Sequence, residues 1–292
     1  MAIPYSQTYA DALDKHLRIK KDNEWKYVED VQVKHSGSWR DVKEVHIKQG
    51  GTWRLIHEGE HFLFSAEITS DGTSEWSLAS HISGLGYGGS LIKGVVVVNA
   101  VRQQLNLGNF SSGSKVLLRI VGNKRITGKG GNGGNRGGQN GAGGQRALYS
   151  RTPFILDNSG VIGGGGGGGA GGNNAQCTYQ NTYYYGCMKG SQCSGTAQNF
   201  SNANGGGGGG GAGYPGGQGK DGGQNGQQWG GGGGGGNGGC GSNSGGQGGN
   251  LGQSGQNAGG TAGGGGTAID GWSYRYSQNG AGDGDIRGGT SN

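Results

Sequence analysis

The chain holds 292 residues, 78 of them glycine and only 3 proline, with a formal net charge of +6 at neutral pH. That glycine content is far above the ~7% of average proteins, and too little proline accompanies it for a collagen triple helix. Basic residues form no run: up to Thr127 there are 16 Lys and Arg against 13 Asp and Glu, and beyond it 8 against 5, so the clustered basic face of a nucleic-acid binder is missing.

In chain order, residues 1–16 lack the basic and apolar regions of a secretory signal, and the longest apolar run, the valines 95–98, is far too short to cross a bilayer. Synthesis as a soluble product of the cytoplasm is the expectation. Residues 17–58 then repeat every 14 positions as LRIKKDNEWKYVED, VQVKHSGSWRDVKE and VHIKQGGTWRLIHE, with Trp25, Trp39 and Trp53 in phase. Each unit reads as a β-hairpin. Asn23, Gly37 or Gly51 stands two before the Trp and tolerates a left-handed backbone, as a three-residue loop with a G1 bulge requires. That register sets Ile19 across from Trp25, Val33 across from Trp39 and Ile47 across from Trp53, a favourable aromatic and β-branched pair. Single hairpins are marginal in water, which leaves two readings. One is a six-stranded meander with the tryptophans as its core; the other is a pseudo-threefold cap on the end of a homotrimer, with Trp25, Trp39 and Trp53 as anchors. Residues 1–59 are assigned to attachment. Residues 60–127, with the runs HFLFSAEI, SLIKGVVVVNAVRQQLNL and SKVLLRIVGNKRI, form a β-rich connector.

Thirteen glycines precede Thr127 and 65 follow it, so residues 128–292 form a glycine-rich domain of another kind. Low-complexity glycine is disordered by default, but here the larger residues keep a step of three: Lys129, Asn132, Asn135; Arg136, Gln139, Ala142, Gln145; Gln218, Asp221, Gln224, Gln227; Asn237, Cys240, Asn243; and Ser244 through Gln256. Three residues per turn is the period of polyproline II. Its polyglycine counterpart keeps every N–H, so neighbouring helices can bond sideways. The predicted fold is therefore mainly β and irregular, ending in a sandwich of polyglycine II helices. A surrounded helix has no room for side chains, so the pure tracts 163–169, 205–211 and 230–236 are expected inside and the spaced stretches outside. A larger residue at Gly166 or Gly208 is expected to be badly tolerated.

Between the tracts lie the segments 173–204, 225–229 and 272–279, rich in Tyr, Trp, Asn and Ser. These are residues of binding loops, because rigid rings and adaptable amides give contact area at low entropic cost. The alternative is that Tyr183, Tyr184 and Tyr185 merely cover the open end of the lattice. The candidate contact residues are Tyr179, Tyr183, Tyr184, Tyr185, Met188, Phe200, Trp229, Trp272, Tyr274 and Tyr276. Four cysteines, Cys177, Cys187, Cys193 and Cys240, allow three pairings that sequence does not choose among. Disulfides are favoured over free thiols. A metal site comes last, since the spacings do not follow zinc ligands and no His follows His81. The G-x-G-x-x-G at 128–133 has no βαβ context and is a chance match; no nucleophile with its base and no paired carboxylates stand out, so neither catalysis nor a cofactor is expected.

The Trp repeat followed by polyglycine tracts that alternate with Tyr/Asn/Ser-rich segments resembles the receptor-binding adhesins at the tip of the long tail fibres of T-even bacteriophages of the T2 type. The resemblance covers the plan of the whole chain, most specifically 128–292. It implies an amino-terminal domain attached to a homotrimeric fibre end, one copy per fibre, and a polyglycine II sandwich whose distal loops bind an outer-membrane protein, or a surface glycan, of the host cell. It matches 163–169, 205–211 and 230–236 to the family's glycine motifs and 173–204, 225–229 and 272–279 to its variable loops. The cysteine group departs from that pattern. A fibre-assembly cap that never touches a host would need the Trp repeats but not the aromatic loops.

Overall fold

The computed structural model describes residues 18–21, 24–27, 31–42, 44–58, 61–89, 91–186, 192–228, 231–240, 242–276 and 283–292. The 14-residue repeat forms three separate antiparallel pairs: β1 (Arg18–Lys21) with β2 (Glu24–Tyr27), β3 (Gln32–His35) with β4 (Ser38–Asp41), and β5 (Glu44–Gln49) with β6 (Thr52–Glu58). Their register differs from the expectation. Ser36 and Gly37 have φ of 50° and 81°, and Gly50 and Gly51 of 57° and 83°, so these turns are two-residue loops of the type I′ kind rather than three-residue loops with a bulge. Trp25 therefore pairs with Lys20, Trp39 with Lys34 and Trp53 with Lys48, while Ile19, Val33 and Ile47 pair one position away, with Lys26, Arg40 and Arg54. One step along a strand changes faces, and the expected Trp and β-branched pairs do not form. Among the described residues the pairs form no six-stranded meander with a tryptophan core: they stay separate, and Trp39 and Trp53 are each 65% exposed.

From His61 a different architecture begins. The next elements are β7 (His61–Ile68), β8 (Trp76–Ser77), the short helix α1 (Leu78–Ser83), β9 (Leu91–Val98), β10 (Val101–Gln103), β11 (Leu105–Asn106), β12 (Lys115–Ile120), β13 (Arg125–Thr127), β14 (Leu148–Tyr149), β15 (Phe154–Asn158) and β16 (Val161–Gly163). After two strands taken up below, β17 (Ala175–Gly186) and β18 (Gln192–Ala203), come β19 (Ile269–Asp270), β20 (Arg275–Tyr276), β21 (Asp285–Arg287) and β22 (Thr290–Ser291). Apart from β17 and β18 they sort into three parallel sheets, ordered β7-β9-β12-β15-β20, β10-β13-β16-β21 and β8-β11-β14-β19-β22. Each coil of the chain visits the three sheets in turn, which makes a three-sided parallel solenoid of five coils.

Alternation along the strands aims one apolar residue in two at the axis, and parallel register stacks equivalents coil upon coil. Ala66, Val96, Leu118 and Leu156 form one such row and Ile68, Val98 and Ile120 another, all buried. Gly94 interrupts its row because a Cβ there would strike the Phe64 carbonyl and ring. The strands of residues 61–127 belong to sheets that run past residue 127: β12 and β13 pair with β15 and β16, and the final coil ends at β22.

The glycine-rich segments are excursions from this solenoid. They leave after β13 and β16 and return before β14 and β19, always at the corner between the second and third sheets. Ten extended tracts run alternately away from the solenoid and back: g1 (128–136), g2 (139–147), g3 (163–172), g4 (205–213), g5 (216–220), g6 (223–227), g7 (231–238), g8 (244–250), g9 (253–256) and g10 (261–268). Tract g3 shows the period. Its N–H groups at 165, 168 and 171 donate to Gln145, Ala142 and Gln139 of g2; those at 166, 169 and 172 donate to Ala212, Gly209 and Gly206 of g4; those at 167 and 170 donate to Gln253 and Gln256 of g9. Its carbonyls accept in the same threefold rotation from g1, g8 and g10. The backbone thus turns once every three residues, the hydrogen-bonding period of a polyglycine II packing. Tract g4 likewise has six neighbours, g1, g3, g5, g6, g7 and g8, and the whole pairing pattern sets the tracts in layers of three (g5, g1, g2), four (g6, g4, g3, g10) and three (g7, g8, g9).

Both surrounded tracts are ones the sequence marks as pure glycine, 163–169 and 205–211. The third, 230–236, is not interior. Its described part touches only g4, g6 and g8, and only Gly233 and Gly236 are buried. The spaced residues from Lys129 to Gln256 lie half-buried or exposed, on the outside as expected. A Cβ built at Gly166 would overlap the Gly249 carbonyl, and one at Gly208 the Gly169 carbonyl, whereas at Gly234 the nearest atom is Gln224 Oε1 at 3.4 Å. Chemical denaturation is expected to show Gly208→Ala destabilised by about 3 kcal/mol or more, and Gly234→Ala within about 0.5 kcal/mol of the parent.

Candidate functional site

The end of the lattice far from the solenoid is built by the turns between outgoing and returning tracts: 136–138, 221–222, 239–243 and 257–260, with the ribbon of β17 and β18 between g3 and g4. The first two touch, Arg136 N donating to Asp221 Oδ2 at 2.8 Å. The ribbon dominates this end. Twelve consecutive antiparallel pairs run from Ala175↔Ala203 to Gly186↔Gln192, so it projects about 40 Å at the usual rise per strand residue.

Its base is fastened at several points. Cys177 is disulfide-bonded to Cys240, in the turn that joins g7 to g8. Asn174 Oδ1 accepts from Gly205 N at 2.9 Å, Gly239 N donates to Asn204 O at 2.9 Å, and Ser242 Oγ donates to the same carbonyl at 3.0 Å. Both strands thus grow out of surrounded tracts and are cross-linked to a third hairpin of the lattice. The disulfide expected for the cysteine group exists in this pairing. Cys193 lies on β18 opposite Tyr185, and Cys187 lies outside the described residues.

The ribbon brings together five of the ten candidate contact residues. Strand alternation puts Tyr179, Tyr183 and Tyr185 at register positions on one face, and Tyr184 and Phe200, whose partner is Thr178, on the other. Met188 and Trp229 lie outside the described residues. The remaining three are away from the ribbon. Trp272 and Tyr274 form a 3-10 turn and Tyr276 sits on β20, in the solenoid's last coil. Trp272 packs against the apolar core beneath the Arg275 guanidinium, 4.7 Å from the ring centroid, and Tyr274 and Tyr276 are 36% and 53% exposed. Composition had grouped these segments with the distal loops; the parallel pairing of β20 with β15 explains why 272–276 belongs to the prism instead.

Sequence reasoning passed over a stack on the third sheet. Tyr149 lies between the Arg146 and Arg151 guanidiniums, at 4.5 and 4.8 Å, and Asp270 pairs with both cations, at 3.5 and 2.9 Å. The hydrogen bond that Arg151 donates to Asp270 raises the Arg151 pKa above the ordinary arginine value. Arg146, Tyr149 and Arg151 stand on one coil and Asp270 on the next, opposite Tyr149, a closeness to Asp270 that no spacing along the chain displays.

A rigid lattice with a clasped, aromatic-rich ribbon at its free end is the geometry of a protein that presents a contact surface. A family model described as phage tail fibre adhesin Gp38 matches residues 66–291. The chain belongs to that family. It is a bacteriophage tail fibre adhesin, a virion component of host attachment. The match begins within β7 and leaves the three Trp hairpins outside it. No curated protein and no solved structure matches the chain. If the clasp holds this adhesin's ribbon in place, Cys240→Ser should lower stability by roughly 2 to 4 kcal/mol; hydrogen exchange should then quicken in 175–203 and stay slow in 164–172.

Proposed function

We propose that this adhesin caps the tip of a homotrimeric long tail fibre, one copy per fibre, and binds a protein of the bacterial outer membrane through the β17–β18 ribbon. The observation that carries the reading is the ribbon's position: it projects from the lattice end far from the solenoid and is fixed there by the Cys177–Cys240 bond. A contact element held on a rigid base loses little conformational entropy on binding. Tyr183, Tyr184 and Tyr185 supply the aromatic anchors, with Tyr179, Met188 and Phe200 beside them in sequence or register.

Attachment falls to the hairpins. Three copies of one Lys and Trp pair, with Trp39 and Trp53 largely exposed, suit a partner that offers the same groove three times, as a threefold fibre end does. Trp25, Trp39 and Trp53 are its anchors, each filling an equivalent site.

Two measurements check the halves separately. Labelled adhesin is expected to bind Gram-negative cells saturably and to lose that binding after surface proteolysis or in the folded triple variant Tyr183→Ala, Tyr184→Ala, Tyr185→Ala. Binding that survives both would refute the ribbon's role, and absence of binding together with firm attachment to the fibre would leave only a cap. Trp39→Ala and Trp53→Ala are each expected to weaken fibre association by about thirtyfold or more, the cost of losing one hot-spot residue, with the melting temperature unchanged.

A further inference from the structure

The corner between the third and first sheets carries no glycine excursion, and a cleft of about 420 Å³ opens there. It lies within the size range of small-molecule sites, about 300–1,000 Å³. Three corner segments from successive coils build it: Asn109 to Ser112 between β11 and β12, Arg151 and Pro153 between β14 and β15, and Ser273 and Tyr274 between β19 and β20, with Tyr276 beside them on β20. We propose that this cleft is a second ligand site of the adhesin, one that takes a neutral oligosaccharide.

The lining chemistry argues for that class. A sugar ring has apolar C–H faces and a rim of hydroxyls. Tyr274, Tyr276 and Phe110 offer flat aromatic faces, and Tyr adds a hydroxyl of its own. Asn109, Ser111, Ser112 and Ser273, all exposed, offer side chains that donate as well as accept. The one charge in the lining is already matched: Arg151 is bound by Asp270 at 2.9 Å and lies over Tyr149. No carboxylate lines the cleft. A matched cation and no acid suit an uncharged polyol rather than an anion or a cation.

The arrangement favours a chain over a single sugar. Coils stack about 4.8 Å apart, and aromatic rings continue along the same corner beyond the cleft. Phe110 meets Tyr87 edge to face at 5.7 Å, and Tyr87 meets Phe62 at 5.5 Å. The floor is rigid. Phe110 N donates to Thr152 Oγ1 at 3.0 Å, Thr152 Oγ1 donates to Leu107 O at 3.1 Å, and Ser273 N donates to Asn292 Oδ1 at 2.7 Å. The site lies on a different corner of the solenoid from the lattice and its ribbon, so its occupancy does not depend on the ribbon's role.

The test is titration of the full chain, by calorimetry and saturation-transfer NMR, with a panel of delipidated, protein-free bacterial surface oligosaccharides that includes neutral hexose-rich and phosphorylated members. At least one neutral member is expected to bind, with transfer to the Tyr ring protons. Tyr274→Ala, Tyr276→Ala and the cleft-filling Ser112→Trp should each reduce that affinity about tenfold or more with an unchanged melting temperature, and Tyr183→Ala should leave it intact. Failure of every neutral member to bind, binding only of phosphorylated members, or binding indifferent to all three cleft variants would overturn the proposal. The ribbon's part in cell attachment is read on protease-treated cells and stands or falls separately.

Discussion

The glycine lattice of this adhesin depends on one constraint, the close approach of polypeptide backbones that bond to one another in three directions. Ordering glycine costs more conformational entropy than ordering any other residue, about 1–2 kcal/mol of backbone freedom per position. Nearly complete hydrogen bonding is what offsets it. In g3 every N–H from 164 to 172 and every C=O from 163 to 172 has a backbone partner. Neighbouring chains come so close that a β-carbon has no room at Gly166, Gly169 or Gly208. The composition of the carboxy-terminal half follows from that geometry. In the surrounded tracts g3 and g4 every residue is glycine except Ala170 and Ala212, both fully buried, and one position in three is released wherever a tract reaches the surface.

The solenoid supplies what the lattice lacks. A bundle held only by backbone hydrogen bonds has no apolar core to set its register, and its tracts are short. Here the two surrounded or flanking excursions begin and end on parallel strands whose side chains, Ile126 and Ile162 on one sheet and Leu148 and Ile269 on another, are completely buried. Strand register therefore fixes lattice register: Gly128 N donates to Gly163 O directly above the β13–β16 pairing, and the same offset continues at 131, 134 and 137. Core packing at the base is transmitted along hydrogen-bonded tracts to the turns at the far end, where the ribbon is clasped. Stiffness at the tip thus has its origin in the prism.

Parts of this were legible in the sequence and parts were not, for physical reasons. The step of three in Gln218, Asp221, Gln224 and Gln227 is a direct imprint of the threefold backbone, and it located the outer faces. The purity of 230–236 misled, because an all-glycine tract is compatible with an edge as well as an interior; nothing crowds Gly231 or Gly234. In the second hairpin the register missed by one residue because Ser36 adopts a left-handed backbone that serine rarely takes. The solenoid's continuation past Thr127 shows in the sequence only as the likeness of 146–162 to the run 116–126, since β13 and β16 are three residues each and their equivalents are separated by the whole length of an excursion. Aromatic composition alone joined Trp272, Tyr274 and Tyr276 to the distal loops, when strand pairing sets them on the prism.

The account's central claim is that the lattice exists to hold the ribbon against a host surface protein. Its most direct test is to place the photo-reactive residue benzoylphenylalanine at Tyr183 in fibre-mounted adhesin, irradiate it on living cells, and identify the adducts, with the same residue at Gln247 on the lattice flank as the comparison. The account predicts one outer-membrane protein cross-linked from position 183 and none from 247. Adducts from 247 with none from 183 would contradict it, because the flank rather than the clasped ribbon would then be the surface that meets the host.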